Sequence, residues 1–327
     1  MNFRTFLKIG ICLLCLNCGE CFIPLIPVAV GGLAGLGYMT WCSFRECCTN
    51  QYIPADFTLL NTTLNTKLYG QHLAHETVLH ALKGHFEDTN PKKALAMSFH
   101  GLPGSGKNYM ANFIVDALYK NGANSSYVHF YKGRLHFPAD GNIAEYQVCT
   151  RSIFIFDEVD KIPEGTLNIL VPFLDYNPKL QNIETTKAIF IFLSNTGGSA
   201  VAKHLLEMWQ AGKKRDETTL ADFELLLAMG AFNEKGGFHK SDTIETSLID
   251  HYVPFLPLEE IHVKKCIIDA FLKRGVDPSD EMIQETMTHV TFGPHPQNLY
   301  SNAGCKRLDQ KASAIKQKFS SRRNSKL

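Results

Sequence analysis

The chain is 327 residues long, which accommodates one large domain and a small one. With 45% apolar residues, 20% charged residues and a net charge of +1, it has the balance of a globular protein. That balance makes no electrostatic case for a nucleic-acid partner.

The amino terminus reads as an address. Arg4 and Lys8 precede a short apolar core over 9–18, and small residues follow at Cys18 and Gly19, so residues 1–19 are expected to be a signal peptide. A second apolar run, 21–41, carries no charge and is long enough to cross a bilayer. Pro24, Pro27, Gly31, Gly32, Gly35 and Gly37 suit a bent or hairpin insertion better than a straight span. The expectation is a membrane-associated lumenal protein. Ten cysteines agree with an oxidising compartment. Cys12, Cys15 and Cys18 would leave with the signal peptide; Cys42, Cys47 and Cys48 cluster after the apolar run; Cys149, Cys266 and Cys305 are scattered. Cys47-Cys48 lacks the spacing of a zinc site. Two sequons, at Asn61 and Asn124, are expected glycosylation sites in a lumen.

Residues 56–92 read as helical, with Leu59, Leu60, Leu64, Leu68 and then Leu73, Val78, Leu79 and Leu82 recurring at three- and four-residue steps. Short apolar strands are expected over 94–99, 126–132, 151–156 and 188–194, separated by helical or turn-rich sequence. That alternation implies a parallel sheet with crossover helices, an α/β fold. Amphipathic stretches over 258–274 and 279–290 suit a small helical lid domain. From Lys306 to Leu327 there are eight Lys or Arg and only Asp309 against them. This reads as a solvated helix end and a basic tail, with contact to a membrane surface as the alternative. The organisation expected is therefore a nucleotide-binding domain over 50–253, a lid over 254–310 and a basic tail over 311–327.

The chemistry starts between the first strand and a helical pattern, where the chain reads Gly101-Leu102-Pro103-Gly104-Ser105-Gly106-Lys107-Asn108. Glycines let backbone N–H groups wrap a phosphate chain, Lys107 supplies a charge for its terminal phosphates, and the helix offers its positive end. Asn108 stands where a Ser or Thr usually faces Mg²⁺; an amide oxygen can also face a hard cation. The apolar strand 151–156 ends in Asp157-Glu158. A central strand delivers such carboxylates into the phosphate crevice, where Asp157 would hold the Mg²⁺ shell and Glu158 would activate water. The strand 188–194 ends in Asn195, which is either a turn residue before Gly197-Gly198 or an orienting group for the lytic water. Lys306 is either a surface lysine or a group that reaches the nucleotide from the lid.

Taken in this order, the P-loop ending in Asn108, Ser152-Ile153-Phe154-Ile155-Phe156-Asp157-Glu158, Phe173-Leu174-Asp175-Tyr176, Phe190-Ile191-Phe192-Leu193-Ser194-Asn195, Val253-Pro254-Phe255-Leu256-Pro257-Leu258 and Gly304-Cys305-Lys306 resemble the torsins over about residues 40–310. The segment Lys67-Leu68-Tyr69-Gly70-Gln71-His72-Leu73-Ala74 is similar to the sequence before the P-loop of many AAA+ ATPases. The resemblance implies a P-loop AAA+ domain with a helical lid, in the lumen of the endoplasmic reticulum and nuclear envelope. It implies ATP and Mg²⁺ as cofactors, Lys107 and Asn108 as Walker A, Asp157 and Glu158 as Walker B, Asn195 as sensor 1 and Lys306 as sensor 2. It also implies disulfides Cys42–Cys149 and Cys266–Cys305. Torsins carry a longer connection than residues 134–150 and two adjacent glutamates where this chain has Thr288-His289.

In similar Clp-type ATPases an arginine stands where this chain has Leu248 and reaches into the neighbouring subunit. Between Asn195 and Asp250 the only arginine is Arg215, in the charged run Lys213-Lys214-Arg215-Asp216-Glu217, which reads as a solvated turn. The resemblance therefore implies a partner that supplies the arginine: the AAA+-like lumenal domain of a membrane protein of the inner nuclear membrane or reticulum, in a homo-oligomer or mixed ring. The expected function is ATP-driven remodelling of protein or membrane assemblies. A nucleotide-binding scaffold or switch with little turnover is the alternative.

Overall fold

The computed structural model describes residues 42, 46–136, 149–176, 179–180, 183–245 and 247–324. The expected signal peptide, the apolar segment 21–41 and most of the connection 134–150 lie outside the described residues. Among the described residues no helix is long and apolar enough to cross a membrane. The chain divides into Met1–Cys47 and Cys48–Leu327. In the first unit the described feature is a disulfide between Cys42 and Cys47, whose Cα atoms are 5.5 Å apart.

The second unit opens with helices α1 (Phe57–Lys67) and α2 (His72–Glu87). Asp56 caps α1 by accepting a hydrogen bond from the Leu59 N–H at 2.8 Å. The single helical stretch expected over 56–92 is broken at Gly70, whose φ of 69° lies in the left-handed region. Then follow β1 (Leu95–Gly101), α3 (Lys107–Leu118), β2 (Val128–Lys132), β3 (Ile153–Asp157), β4 (Ile189–Ser194), α4 (Gly198–Gln210), α5 (Glu224–Asn233) and β5 (His251–Phe255). The five strands form one sheet in the order β2–β3–β4–β1–β5, and every pairing is parallel.

Strand alternation sorts the core into two faces. Ile189, Ile191 and Leu193 of β4 pack with Leu60, Leu64, Val78, Leu82, Met110 and Ile114 from α1–α3. Phe190 and Phe192 point the other way, into a cluster with Val201, Leu205 and Leu227 of α4 and α5. On that second face rings stack across the ladder: His129 on Phe154 and Phe154 on Phe190, Tyr131 on Phe156 and Phe156 on Phe192, with centroids 4.8–5.2 Å apart. Such cross-strand rows fix the register, because a one-residue slip would turn every ring to the other face.

The strand β5 is not among the four strands read from the sequence, and Pro254 in a short apolar run is unusual for a strand. The structure accommodates it at the edge, where β5 pairs only with β1 and Pro254 lies opposite His100. The lid comprises α6 (Glu260–Leu272), α7 (Asp280–Met287) and α8 (Leu308–Asn324), with a short hairpin of Phe292–Gly293 against Tyr300–Ser301. Its core joins Val263, Ile267 and Phe271 to Met282, Leu308, Ala312 and Ile315. The segment read as a basic tail from 311 is thus mostly helix, and its apolar positions complete the lid. The charge count over 306–327 hides that spacing.

A second correction concerns the cysteines. Cys149 is bonded to Cys48, with Cα atoms 5.7 Å apart, and not to Cys42, which Cys47 takes. Three neighbouring cysteines can each reach one partner, and sequence does not rank them. Cys266 of α6 is bonded to Cys305 in the turn before α8, at a Cα separation of 6.1 Å.

Arg215 is the third. Its run is a turn, as expected, but the side chain is half-buried and fully engaged: it donates to the Gly70 carbonyl at 2.6 and 3.2 Å, to the Pro257 carbonyl at 2.9 Å and to the Glu259 carboxylate at 3.0 Å. One guanidinium thus ties the α1–α2 turn to the linker and first cap of the lid. Burial pulls its pKa below the ordinary value, against the pull of Glu259. Arg215→Ala leaves two carbonyls and a carboxylate without their donor, and is expected to cost about 3 kcal/mol in urea denaturation. Arg215→Lys is expected to restore little of it, since an ammonium cannot span three acceptors at those positions. Wild-type stability in the alanine variant would remove this role.

Candidate active site

The P-loop turns from β1 into α3, and Lys107 is the first residue of that helix. Gly104 has φ 80°, and a Cβ there would sit 2.0 Å from the Ala303 carbonyl oxygen. The turn before α8 is equally close from its side: a Cβ on Gly304 would meet the Gly104 oxygen at 2.2 Å. The Cys305 N–H donates to that same oxygen at 3.1 Å. Backbone lies on backbone here, which only glycine permits. The Gln71 side chain supports the loop from below, donating to the carbonyls of Ser105 at 2.9 Å and Leu256 at 2.8 Å while accepting from the Leu256 N–H at 2.8 Å.

Lys107 is buried, with 6% of its surface exposed. Its ammonium donates to the carbonyls of Gly101 at 2.6 Å and Leu102 at 3.1 Å and to Asn195 Oδ1 at 3.1 Å. Burial pulls its pKa down to about 8; Asp160 and Asp157 oppose that fall and Lys306 adds to it. Asn108 donates from Nδ2 to Asp157 Oδ2 at 2.7 Å. With its nitrogen so used, the amide oxygen of Asn108 is the atom left to face a cation. Asp157 ends β3, and its Oδ1 accepts from the Glu158 N–H at 2.9 Å. Glu158 has φ 55°, an uncommon conformation for a residue with a Cβ, at the point where the strand turns away.

Asn195 follows β4 and is exposed between two buried neighbours, Ser194 and Thr196. Its backbone N–H and Nδ2 both donate to Asp160 Oδ1 at 3.3 Å. Burial raises the Asp160 carboxyl, but hydrogen bonds from Lys161 and the Asn195 amide outweigh it and hold the pKa below the usual range. Lys306 is exposed in the turn before α8.

These groups share one cavity of about 590 Å³, lined by Pro103 to Asn108, Asp157, Glu158, Asn195 and Lys306. Gly101 and Leu102 do not line it; they hold the Lys107 ammonium from behind. Tyr69 and Asp269 also line it, the Tyr69 hydroxyl donating to Asp269 at 2.6 Å while Lys67 reaches the same carboxylate at 3.1 Å. Burial and Asp269 push the Tyr69 pKa up. Sequence reasoning passed over Gln71, Asp160 and Asp269. Gln71 lies inside a segment already singled out, Asp160 stands two residues beyond another, and Asp269 carries no signal beyond one acid on an amphipathic helix.

Asn61 is exposed on α1, where its Oδ1 takes hydrogen bonds from Asn65 at 3.1 Å and lies 2.9 Å from His75 Nε2. Asn124 is exposed in a turn after α3.

The Torsin family model matches residues 42–156, and the model of the Torsin-1A C-terminal domain matches residues 258–313. A torsin-like protein of Drosophila melanogaster is 40% identical over 88% of this chain and 91% of its own. A torsin-like protein of Caenorhabditis elegans is 36% identical over 88% of this chain and 85% of its own. Torsin-3A of Mus musculus is 36% identical over 83% of this chain and 74% of its own. Among solved structures, the S. cerevisiae Hsp104–ADP complex superposes with a TM-score of 0.57 at 18% identity. That match covers 84% of this chain but only 49% of the Hsp104 chain, so the present chain spans about half its length.

Proposed function

The chain belongs to the torsin family of AAA+ ATPases, and from that premise we propose that it works in the lumen of the endoplasmic reticulum and nuclear envelope as a partner-dependent remodelling ATPase. It binds ATP with Mg²⁺ in the cavity between the sheet and the lid. Lys107 and the P-loop N–H groups receive the phosphates. Asn108 and Asp157 offer the two hard oxygens that Mg²⁺ accepts beside phosphate oxygens and water, which fits the pairing of their side chains at 2.7 Å. A Mg²⁺ ion held by Asn108 and Asp157 would supply positive charge against the transferring phosphoryl group. Glu158 takes the proton of the attacking water, Asn195 orients that water, and Lys306 faces the phosphates from the lid.

The observation that carries the partner is the absence of arginine from the cavity's described lining. Arg215 is committed to Gly70, Pro257 and Glu259, and Leu248 is 4% exposed. The arginine that such transition states draw on, beyond the lysines of the lining, is then supplied by another chain. The partner proposed is the AAA+-like lumenal domain of a membrane protein, joined to this chain in a ring. Hydrolysis by the purified protein, measured with and without membrane extract from the lumenal side, tests the reading. A nucleotide switch with little turnover is the second reading, favoured by the amide of Asn108 standing where a hydroxyl usually faces Mg²⁺. It would show tight ATP binding that no extract converts to hydrolysis.

Lumenal residence makes its own prediction. Asn61 and Asn124 are proposed to carry glycans, since both are exposed. The full chain expressed in eukaryotic cells is expected to shift on a gel after glycosidase treatment, and Asn61→Gln with Asn124→Gln to abolish the shift. An unshifted band with cytosolic fractionation would overturn the assignment.

A further inference from the structure

His100 lies on β1 one residue before the P-loop, fully buried, and no step described so far uses it. Its Nδ1 is 3.1 Å from the Thr196 carbonyl oxygen and 3.2 Å from Thr196 Oγ1. Its Nε2 is 2.7 Å from Ser98 Oγ. A carbonyl can only accept, so Nδ1 bears the ring proton and Nε2 accepts from the Ser98 hydroxyl. Burial drops the ring's pKa to about 4, the Thr196 contact opposing and Lys107 adding to the fall, so it stays neutral at physiological pH. Thr196 is clamped a second time, its N–H donating to Ser194 Oγ at 3.1 Å and its hydroxyl pairing with that oxygen at 2.8 Å. Between these two fixed residues stands Asn195, whose Oδ1 receives Lys107.

We propose that His100 is a positioning residue for hydrolysis: its Nδ1–H holds the Thr196 carbonyl and so aims the Asn195 carboxamide at the Lys107 ammonium. The consequence for turnover rests on Asn195 orienting the lytic water; the placement of Asn195 against Lys107 does not. The strand that carries the P-loop and the strand that carries Asn195 pair through backbone alone as far as His100 and Ser194. Beyond that pair, the imidazole carries the register into the loop.

Two substitutions separate the ring's atoms. His100→Asn keeps a donor near the place of Nδ1, and His100→Gln moves the amide towards the place of Nε2. The readout is acetylation of Lys107 by limiting acetic anhydride at pH 8 in the full, nucleotide-free chain, by mass spectrometry against exposed lysines. Losing the Asn195 oxygen removes one of the three acceptors that hold the Lys107 amine in place and opens that side to reagent, so Asn195→Ala is expected to raise labelling roughly threefold. His100→Gln is expected to match it, the double variant to add nothing, and His100→Asn to label as wild type. Ser194→Ala, which cuts the second clamp, is expected to move labelling the same way and decides the matter if His100→Gln does not fold. With an activating partner, His100→Gln is expected to lower kcat about tenfold while ATP affinity stays within about twofold. Unchanged labelling in His100→Gln and Ser194→Ala, additive effects in the double variant, or His100→Asn behaving as His100→Gln would overturn the proposal. A wild-type chain that never turns over, with the labelling pattern intact, would count against the ATPase reading alone.

Discussion

Lys107→Ala is expected to abolish ATP binding, and Glu158→Gln to keep binding while stopping hydrolysis. The ammonium of Lys107 is already desolvated and held by three oxygens. Nucleotide binding therefore does not have to strip it of water. Removing one partner of such a buried charge contact costs about 2–5 kcal/mol, or roughly 30- to 5000-fold in Kd. Its pKa of about 8 gives the effect a pH signature. Phosphate needs the charged form, so the affinity of the wild type should hold below pH 8 and fall above it. The alanine variant should show no such fall. Glu158 stands on a different footing. It follows Asp157, where β3 turns out of the sheet, and Gly133 has its Cα close enough that a Cβ would meet the Glu158 carbonyl oxygen at 2.5 Å. Glutamine preserves the shape and loses the base, so the loss falls on the chemical step, about 10²–10⁴-fold. A fluorescent ATP analogue gives Kd and a single-turnover assay gives the rate. Equal losses of affinity in the two variants would show that the roles are misassigned.

The phosphate cradle was legible because its chemistry is local. Gly101 to Asn108 is one continuous turn, and Asp157 and Asn195 each end an apolar strand, so spacing alone says which groups a parallel sheet gathers at one edge. What escaped is non-local. Gln71 reaches the P-loop and the β5–lid linker across a large separation in sequence, and nothing in the order Gly70-Gln71-His72 says so. Arg215 sits among Lys213, Lys214, Asp216 and Glu217, where composition argues for a solvated surface. Its burial follows from three acceptors supplied by residues far away in the chain. The edge strand β5 was hidden by Pro254, whose missing N–H matters only if both sides of the strand must pair. The helix α8 was hidden by its charge, although Leu308, Ala312, Ile315 and Phe319 keep a helical period beneath it.

The largest effect expected of any experiment on this protein is stimulation by a second chain. An arginine that stabilises the transferring phosphoryl group is worth roughly 10³–10⁵ in rate. The isolated protein should therefore hydrolyse ATP slowly, and a partner that presents such an arginine should raise the rate by that order. Changing that arginine of the partner to alanine should remove the stimulation and leave complex formation intact. The same reasoning says what will not work from within. Leu248 is 4% exposed, packed in the apolar cluster on the α4–α5 face of the sheet, and its carbonyl accepts from Lys93 at 2.9 Å. Leu248→Arg would put a guanidinium into that cluster, so it should lower stability without restoring turnover. Arg215→Ala should weaken the lid's attachment and reduce hydrolysis only in step with stability, since the side chain points at Gly70, Pro257 and Glu259. Stability and rate can be followed on the same samples, by thermal melting and phosphate release. Fast hydrolysis by the isolated chain, lost in Arg215→Ala while the melting temperature holds, would mean that the chain carries its own finger and that no partner is needed to supply one.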